Sequence, residues 1–172
     1  MPQSQDELDR MYMRQAVDCA MEGTQRMEFP FGACLVHNDR VIAIASNRCL
    51  SSKDPTMHAE MIAIREACGT LDRASLQQAT LYATTEPCVM CMGAIHWAGI
   101  PRIVYGLTIE DSMVLGFKEI QLSARTIAAH AAYEMTLKGG VLTEECQQLF
   151  HNWNRSRKFI RLFEDWSATR PK

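Results

Sequence analysis

Apolar positions recur along the first quarter of the chain at two different spacings. From Asp6 to about Arg26 they recur at helical spacing, which predicts an amphipathic helix. Two short apolar runs follow, Ala33 to His37 and Val41 to Ala45, on either side of the polar turn Asn38-Asp39-Arg40. Such a pair of runs predicts a β-hairpin. The chain is therefore expected to begin with one helix and two paired strands.

The remainder of the chain continues this alternation of helices and short strands. The pattern predicts, in order, a helix over Pro55 to Cys68 capped by Asp54 or Thr56, a strand over Thr80 to Ala83, a helix over Cys88 to Ala98, a strand over Ile103 to Tyr105, mixed loop and short helix over Thr108 to Arg125, a strand over Tyr133 to Leu137, and a last helix capped by Thr143. We therefore expect an α/β fold, a three-layer α-β-α sandwich around a mixed five-stranded sheet.

Length and composition limit the class of protein. The 172 residues, 47% of them hydrophobic, suffice for one domain over 1–172, with a core over about 6–150 and a helical C-terminal extension over about 143–172. The formal net charge of −2 argues against a large polyanionic partner. The polar start of the chain and the lack of a long apolar run predict a soluble, cytoplasmic protein with no membrane partner.

The cysteines direct attention to a metal. Seven cysteines are an odd number in a chain without a secretion signal, so a disulfide framework is not expected. Only Cys88 and Cys91 have the spacing of metal ligands. The other five are expected to be small core or half-buried residues.

Two short motifs carry the chemistry. His58-Ala59-Glu60 is followed about thirty residues later by Pro87-Cys88-Val89-Met90-Cys91. Cysteines at i and i+3 in the first turn of a helix share one face, so both sulfurs can reach one tetrahedral Zn²⁺ with His58 as third ligand and water in the fourth position. A purely structural zinc site would need a fourth protein ligand, and no other residue has a convincing spacing for it.

Glu60 is the candidate proton carrier. It lies with His58 at the N-terminal end of the same predicted helix, where both side chains can lean over the helix end towards one ion. The carboxylate would take a proton from the attacking water and return it to the substrate ring and the departing amine. Glu60 would therefore act first as a base and then as an acid.

The two motifs resemble those of the cytidine deaminase superfamily, whose signature is H-x-E with P-C-x-x-C. The resemblance extends from about Asp6 to Phe150 and implies a zinc-dependent hydrolase that deaminates a nucleobase or nucleoside, with one Zn²⁺ per chain. Within the superfamily, Asp54-Pro55-Thr56-Met57-His58-Ala59-Glu60 and Glu86-Pro87-Cys88 resemble both bacterial guanine deaminases and tRNA adenosine deaminases. The shared motif does not separate these two subfamilies.

Three other segments, Pro30-Phe31-Gly32-Ala33, Gly93 to Ala98 and Gly116-Phe117, are more similar to the guanine deaminases. In that subfamily an Asp two residues beyond the Phe binds the base, and Glu119 stands at the matching position here. The resemblance thus implies a purine substrate such as guanine, and release of ammonia. Considered without the resemblance, Glu119 is equally well explained as a solvated surface charge.

The resemblance also implies further substrate contacts. Asn47 matches an asparagine that contacts the base or sugar, and the backbone N–H of Ala59 matches one that meets a ring oxygen. Phe31 could stack on a base. Each has a simpler alternative, because Asn47 could close a turn and Phe31 could belong to the core.

Members of both subfamilies are homodimers, so the resemblance implies a homodimer here.

The alternative substrate is adenosine in tRNA. Binding of tRNA would use the basic residues of the last helix, Arg155, Arg157, Lys158 and Arg161, although these also fit a solvated helix face. Cytosine or cytidine deamination and a non-catalytic, zinc-stabilised interaction module are further alternatives. A structural metal would not require Glu60, which argues against the last of these.

Overall fold

Five strands form one mixed sheet in the computed structural model, which describes residues 3–155. The strands are β1 (Gly32–His37), β2 (Arg40–Ser46), β3 (Thr80–Thr85), β4 (Arg102–Leu107) and β5 (Thr136–Lys138). Their order in the sheet is β2-β1-β3-β4-β5. Strand β1 is antiparallel to β2 and β3, whereas β3, β4 and β5 are parallel. The mixed five-stranded sheet predicted from the sequence is confirmed.

Helices cover both faces of this sheet. They are α1 (Gln5–Gln25), α2 (Cys49–Ser52), α3 (Ala59–Cys68), α4 (Arg73–Leu76), α5 (Val89–Ala98), α6 (Ile109–Val114), α7 (Ala124–Ala128) and α8 (Thr143–Arg155). Helices α1 and α8 pack on one face, and α3 and α5 pack on the other. The predicted α-β-α sandwich is therefore confirmed as well.

Alternation along the central strands divides the core in two. Leu81 of β3 packs with the α3 and α5 side chains, whereas its neighbour Tyr82 packs with α1 and α8. Successive side chains of a strand point to opposite faces, so one strand supplies both layers. The functional motifs all belong to the layer that contains α3 and α5.

Helix α1 is fixed closely against the sheet. A side chain at Gly32 of β1 would collide with the backbone carbonyl of Ala16, so only glycine permits this approach. The buried carboxylate of Asp9 accepts hydrogen bonds from Arg102 at 2.9 and 2.8 Å, from Lys138 at 2.7 Å and from Tyr82 at 3.0 Å. One acidic side chain therefore joins α1 to β3, β4 and β5.

Two predicted boundaries are wrong. The helix predicted from Pro55 begins only at Ala59, because Asp54 accepts from the backbone N–H and the hydroxyl of Thr56 at 2.8 and 2.7 Å and so closes a turn instead. The fifth strand begins at Thr136 and not at Tyr133, whose phenol donates to carbonyls at the end of α5.

The last helix begins close to its predicted position. Thr143 is its first residue, and its hydroxyl donates to the carbonyl of Gly106 at 3.4 Å. The predicted extension to residue 172 is described only as far as Arg155; Arg157, Lys158 and Arg161 lie outside the described residues. Among residues 3–155, no helix combines the length and apolar character that crossing a bilayer requires.

Candidate active site

The metal-ligand candidates His58 and Cys88 occupy the same structural position on two different helices. His58 is the N-cap of α3 and Cys88 is the N-cap of α5, and both have extended backbone angles (φ −67°, ψ 153° and φ −67°, ψ 172°). Neither side chain makes the usual capping hydrogen bond to its own helix. Because His58 is not in helical conformation, its side chain and that of Glu60 can face the same region despite their i, i+2 spacing.

The structure brings His58, Cys88 and Cys91 together. Their ligand atoms all lie within 4.8 Å of one another, and His58 Nδ1 is 3.7 Å from Cys88 Sγ and 3.6 Å from Cys91 Sγ. Tetrahedral Zn²⁺ with bonds of about 2.05 Å to nitrogen and about 2.3 Å to sulfur separates these atoms by about 3.6 Å. The donor chemistry and the spacing both fit zinc.

The three groups share protons in a way that favours metal binding. A hydrogen bond from the Cys91 thiol, together with one from His58, lowers the pKa of Cys88 to about 4 despite burial. The same bond to Cys88, with burial, raises the pKa of Cys91. Burial lowers the pKa of His58, but the hydrogen bond with Cys88 outweighs it and the pKa rises to about 9. Cys88 is therefore the thiolate of the group, and a cation would displace the remaining protons.

Glu60 lies in the first turn of α3, beside these ligands. Only 8% of the residue is exposed. Burial raises the pKa of its carboxyl to about 7, although the positive charge of His58 opposes this shift. A carboxyl with a pKa near neutrality can both accept and donate a proton at physiological pH.

A cleft opens at this point. Its walls are formed by Phe31, His58, Glu60, Thr85, Glu86, Cys88 and Glu119. Glu119 is half-buried there, and burial, with the negative charge of Cys88, raises the pKa of its carboxyl. Phe31 packs edge-on against Phe117 and Phe150, with ring centroids 4.9 and 5.3 Å apart, and also borders the cleft. Four residues from distant parts of the sequence, Phe31, Glu60, Thr85 and Glu119, thus meet in one pocket.

The other two residues predicted to contact the substrate are Asn47 and Ala59. Asn47 is buried at the end of β2, and its side-chain oxygen accepts from the backbone N–H of Cys49 at 2.9 Å, so it closes a turn and does not line the cleft. Ala59 is the first residue of α3, with a fully buried side chain. Its N–H belongs to the first helical turn, where amides lack an intrahelical acceptor. Substrate contacts by Asn47 and Ala59 stay predictions.

Sequence reasoning missed two residues of the cleft, Thr85 and Glu86. The Glu86 carboxylate accepts from the buried backbone N–H groups of Ile109 at 3.1 Å and Ala124 at 2.7 Å. These are the first residues of α6 and α7, so one side chain holds both ends of the segment that carries Phe117 and Glu119. The available signal was a glutamate directly after the predicted strand and directly before Pro87.

Comparison with known proteins agrees with this geometry. The model of the cytidine and deoxycytidylate deaminase zinc-binding region matches residues 6–107. This match includes His58, Glu60, Cys88 and Cys91, but it ends before α6.

Curated relatives differ in their substrates. A probable cytosine deaminase of Schizosaccharomyces pombe is 35% identical over 81% of this chain and 88% of its own length. The guanine deaminase of Bacillus subtilis is 39% identical over 63% of this chain and 70% of its own. The tRNA-specific adenosine deaminase of the same organism is 41% identical over 80% of this chain and 83% of its own. Overall identity thus does not select one substrate.

Solved structures share the fold. The guanine deaminase of Nitrosomonas europaea superimposes with a TM-score of 0.77 at 25% identity, over 85% of this chain and 84% of its own. A tRNA A34 deaminase superimposes with a TM-score of 0.69 at 33% identity, over 81% and 98%.

Proposed function

Because the chain belongs to the cytidine and deoxycytidylate deaminase zinc-binding family and is a hydrolase of C–N bonds, we propose that its substrate is a free purine base, with guanine as the leading candidate. The reaction adds water and removes the amino group as ammonia, so guanine would give xanthine. Of the features described above, the position of Glu119 in the cleft supports this choice most directly.

The metal and proton-transfer roles follow from the site. His58, Cys88 and Cys91 would hold one Zn²⁺, which when bound lowers the pKa of water to about 7 and so supplies a nucleophile at neutral pH. Glu60 would accept a proton from the attacking water. It would then pass this proton to a ring nitrogen and carry the second proton of the same water to the departing amine, roles for which its raised pKa is suited.

Recognition of the base would fall to Glu119 and Phe31. An ionised carboxylate only accepts hydrogen bonds, so Glu119 requires N–H donors on its ligand. Free guanine offers ring N–H groups and an amino group, whereas the ring of adenosine in tRNA has no N–H because its N9 carries the ribose. The Phe31 ring offers an apolar surface against which a planar base can lie.

Deamination of adenosine in tRNA is the second candidate. The 41% identity to the B. subtilis tRNA-specific adenosine deaminase supports it. Arg155, the last described residue of α8, belongs to the basic cluster that would contact a phosphate backbone. The Glu119 carboxylate in the cleft favours the free base over this candidate.

Ammonia release tests the proposal. The zinc-loaded protein is incubated with guanine, guanosine, adenine, adenosine, cytosine and cytidine, and tRNA is assayed separately for inosine, with Glu60→Gln as the inactive control. We expect release from guanine that the substitution abolishes. Inosine in tRNA without release from any free compound would establish the second candidate, and release from cytosine alone would place the enzyme with the S. pombe relative.

A single domain over the whole chain, a homodimer and a cytoplasmic location stay predictions. The exposed indole of Trp97 on α5, with 76% of the residue accessible, supports a protein interface on this side of the chain. Light scattering of the purified protein would measure the mass in solution and so test the homodimer.

A further inference from the structure

Thr85 ends β3 at the point where the strand reaches the cleft. Along β3, Leu81 faces the layer of α3 and α5, and Thr85, four residues later, is on the same face because strand side chains alternate. Its neighbour Thr84 points to the opposite face, where its hydroxyl accepts from the backbone N–H of Gly32 at 3.0 Å. Two adjacent threonines of one strand thus have different surroundings.

The hydroxyl of Thr85 is buried without a hydrogen-bond partner. The residue is 5% exposed, and its Oγ1 has no partner among the residues that the structure describes. A buried hydroxyl in this state destabilises the folded protein, and a valine of the same shape would avoid the cost. The arrangement makes sense when a molecule in the cleft supplies the partner.

The other side chains of the cleft show which kind of bond is missing. Glu60 and Glu119 are acceptors when ionised, Phe31 is apolar, and His58 and Cys88 face the metal position. Both oxygens of Glu86 already accept backbone N–H groups. A hydroxyl can donate, so Thr85 is the lining side chain available to an acceptor atom of the ligand.

We propose that Thr85 is a specificity-determining residue whose hydroxyl donates a hydrogen bond to a ring nitrogen or carbonyl oxygen of the bound base. This role rests on the proposed function. Glu119 would recognise the N–H groups of a purine base, and Thr85 would recognise one of its acceptors. Together they would recognise a hydrogen-bond donor and a hydrogen-bond acceptor at the edge of the ring.

Thr85→Val, Thr85→Ser and Thr84→Val test this role. For Thr85→Val we expect KM for the base to rise about tenfold, while the zinc content stays at one per chain and Tm is equal or higher. Thr85→Ser keeps the hydroxyl and should restore KM to within about twofold of the unmodified protein. Thr84→Val, the matched control, removes the acceptor of Gly32 and should lower Tm without changing KM.

Three results can be told apart. An unchanged KM in Thr85→Val, with the unmodified protein active, would overturn the role of Thr85 alone. A lower Tm in Thr85→Val would also overturn it, whatever the substrate, because the hydroxyl would then be bonded within the protein. Absence of ammonia release by the unmodified protein would instead refute the proposed function.

Discussion

Glu86→Gln should destabilise the protein although glutamine has nearly the same shape. Glu86 is 6% exposed, and each of its carboxylate oxygens accepts one buried backbone N–H, from Ile109 and from Ala124. Both donors stand at the start of a helix, where negative charge is favourable. The substitution removes this charge and replaces one acceptor with an NH₂ group that must face an N–H.

The expected loss follows from these contacts. One hydrogen bond to a charged group contributes about 1.5–3 kcal/mol, and a buried N–H left without an acceptor adds a penalty of about 1–3 kcal/mol. These contributions overlap, so we expect the free energy of unfolding to fall by about 2–4 kcal/mol. The segment between the two helices carries Glu119, so KM for the base should rise as well.

Urea unfolding followed by circular dichroism measures the loss. Glu110→Gln is the matched control, because it makes the same chemical change in the first turn of α6 at a residue that is exposed. A surface substitution of this kind should change the free energy of unfolding by less than about 0.5 kcal/mol. If Glu86→Gln unfolds within that margin of the unmodified protein, the carboxylate does not anchor the two helices and the reasoning fails.

Two further predictions concern the metal and the pH dependence of stability. Removing zinc with a chelator should abolish ammonia release and lower Tm, since a ligand at 100 times its Kd stabilises the folded protein by about 2.7 kcal/mol. Cys91→Ser should reduce the zinc content measured by atomic absorption. An unchanged zinc content would exclude Cys91 as a ligand. Burial raises the pKa of Asp9, but hydrogen bonds from Arg102 and Lys138 outweigh it and hold the pKa below its usual range, so the stability from this group is present above the unfolded pKa of about 3.9 and is lost as pH falls below it. Asp9→Asn should therefore lower the free energy of unfolding by about 3 kcal/mol at pH 7. Its difference from the unmodified protein should shrink between about pH 4 and pH 2. A difference that is independent of pH in urea unfolding would contradict this.

The fold was predictable where local periodicity and tertiary structure agree. Helix α1 is long and has a regular apolar stripe, and the hairpin of β1 and β2 has a clear polar turn, so both were predicted within a few residues. The start of α3 was wrong because Asp54 and Pro55 also suit a turn, and local sequence does not decide between the two. Local sequence predicts a strand at Tyr133 because the partners of its phenol, the carbonyls at the end of α5, are distant in sequence.

The candidate site divides in the same way. The candidate metal ligands and Glu60 were predictable because they stand at short spacings near two predicted helix starts and together resemble the signature of a known family. The roles of Glu86 and Thr85 were not predictable. The role of Glu86 depends on long-range hydrogen bonds, and that of Thr85 on the absence of a hydrogen-bond partner. The amides that Glu86 holds are 23 and 38 residues away, and an unpartnered hydroxyl has no signature in a sequence.

Substrate choice in this protein should depend on the segment between Ile109 and Ala124 more than on the metal motifs. The family model ends at residue 107, so it includes the metal ligands and excludes this segment. Relatives of 35, 39 and 41% identity carry the names of three different substrates. Glu86 lies two residues before Cys88 and fixes both ends of the segment. The sequence of the loop between these ends can therefore change while the candidate metal ligands stay in place. Glu119 belongs to this segment and lines the cleft.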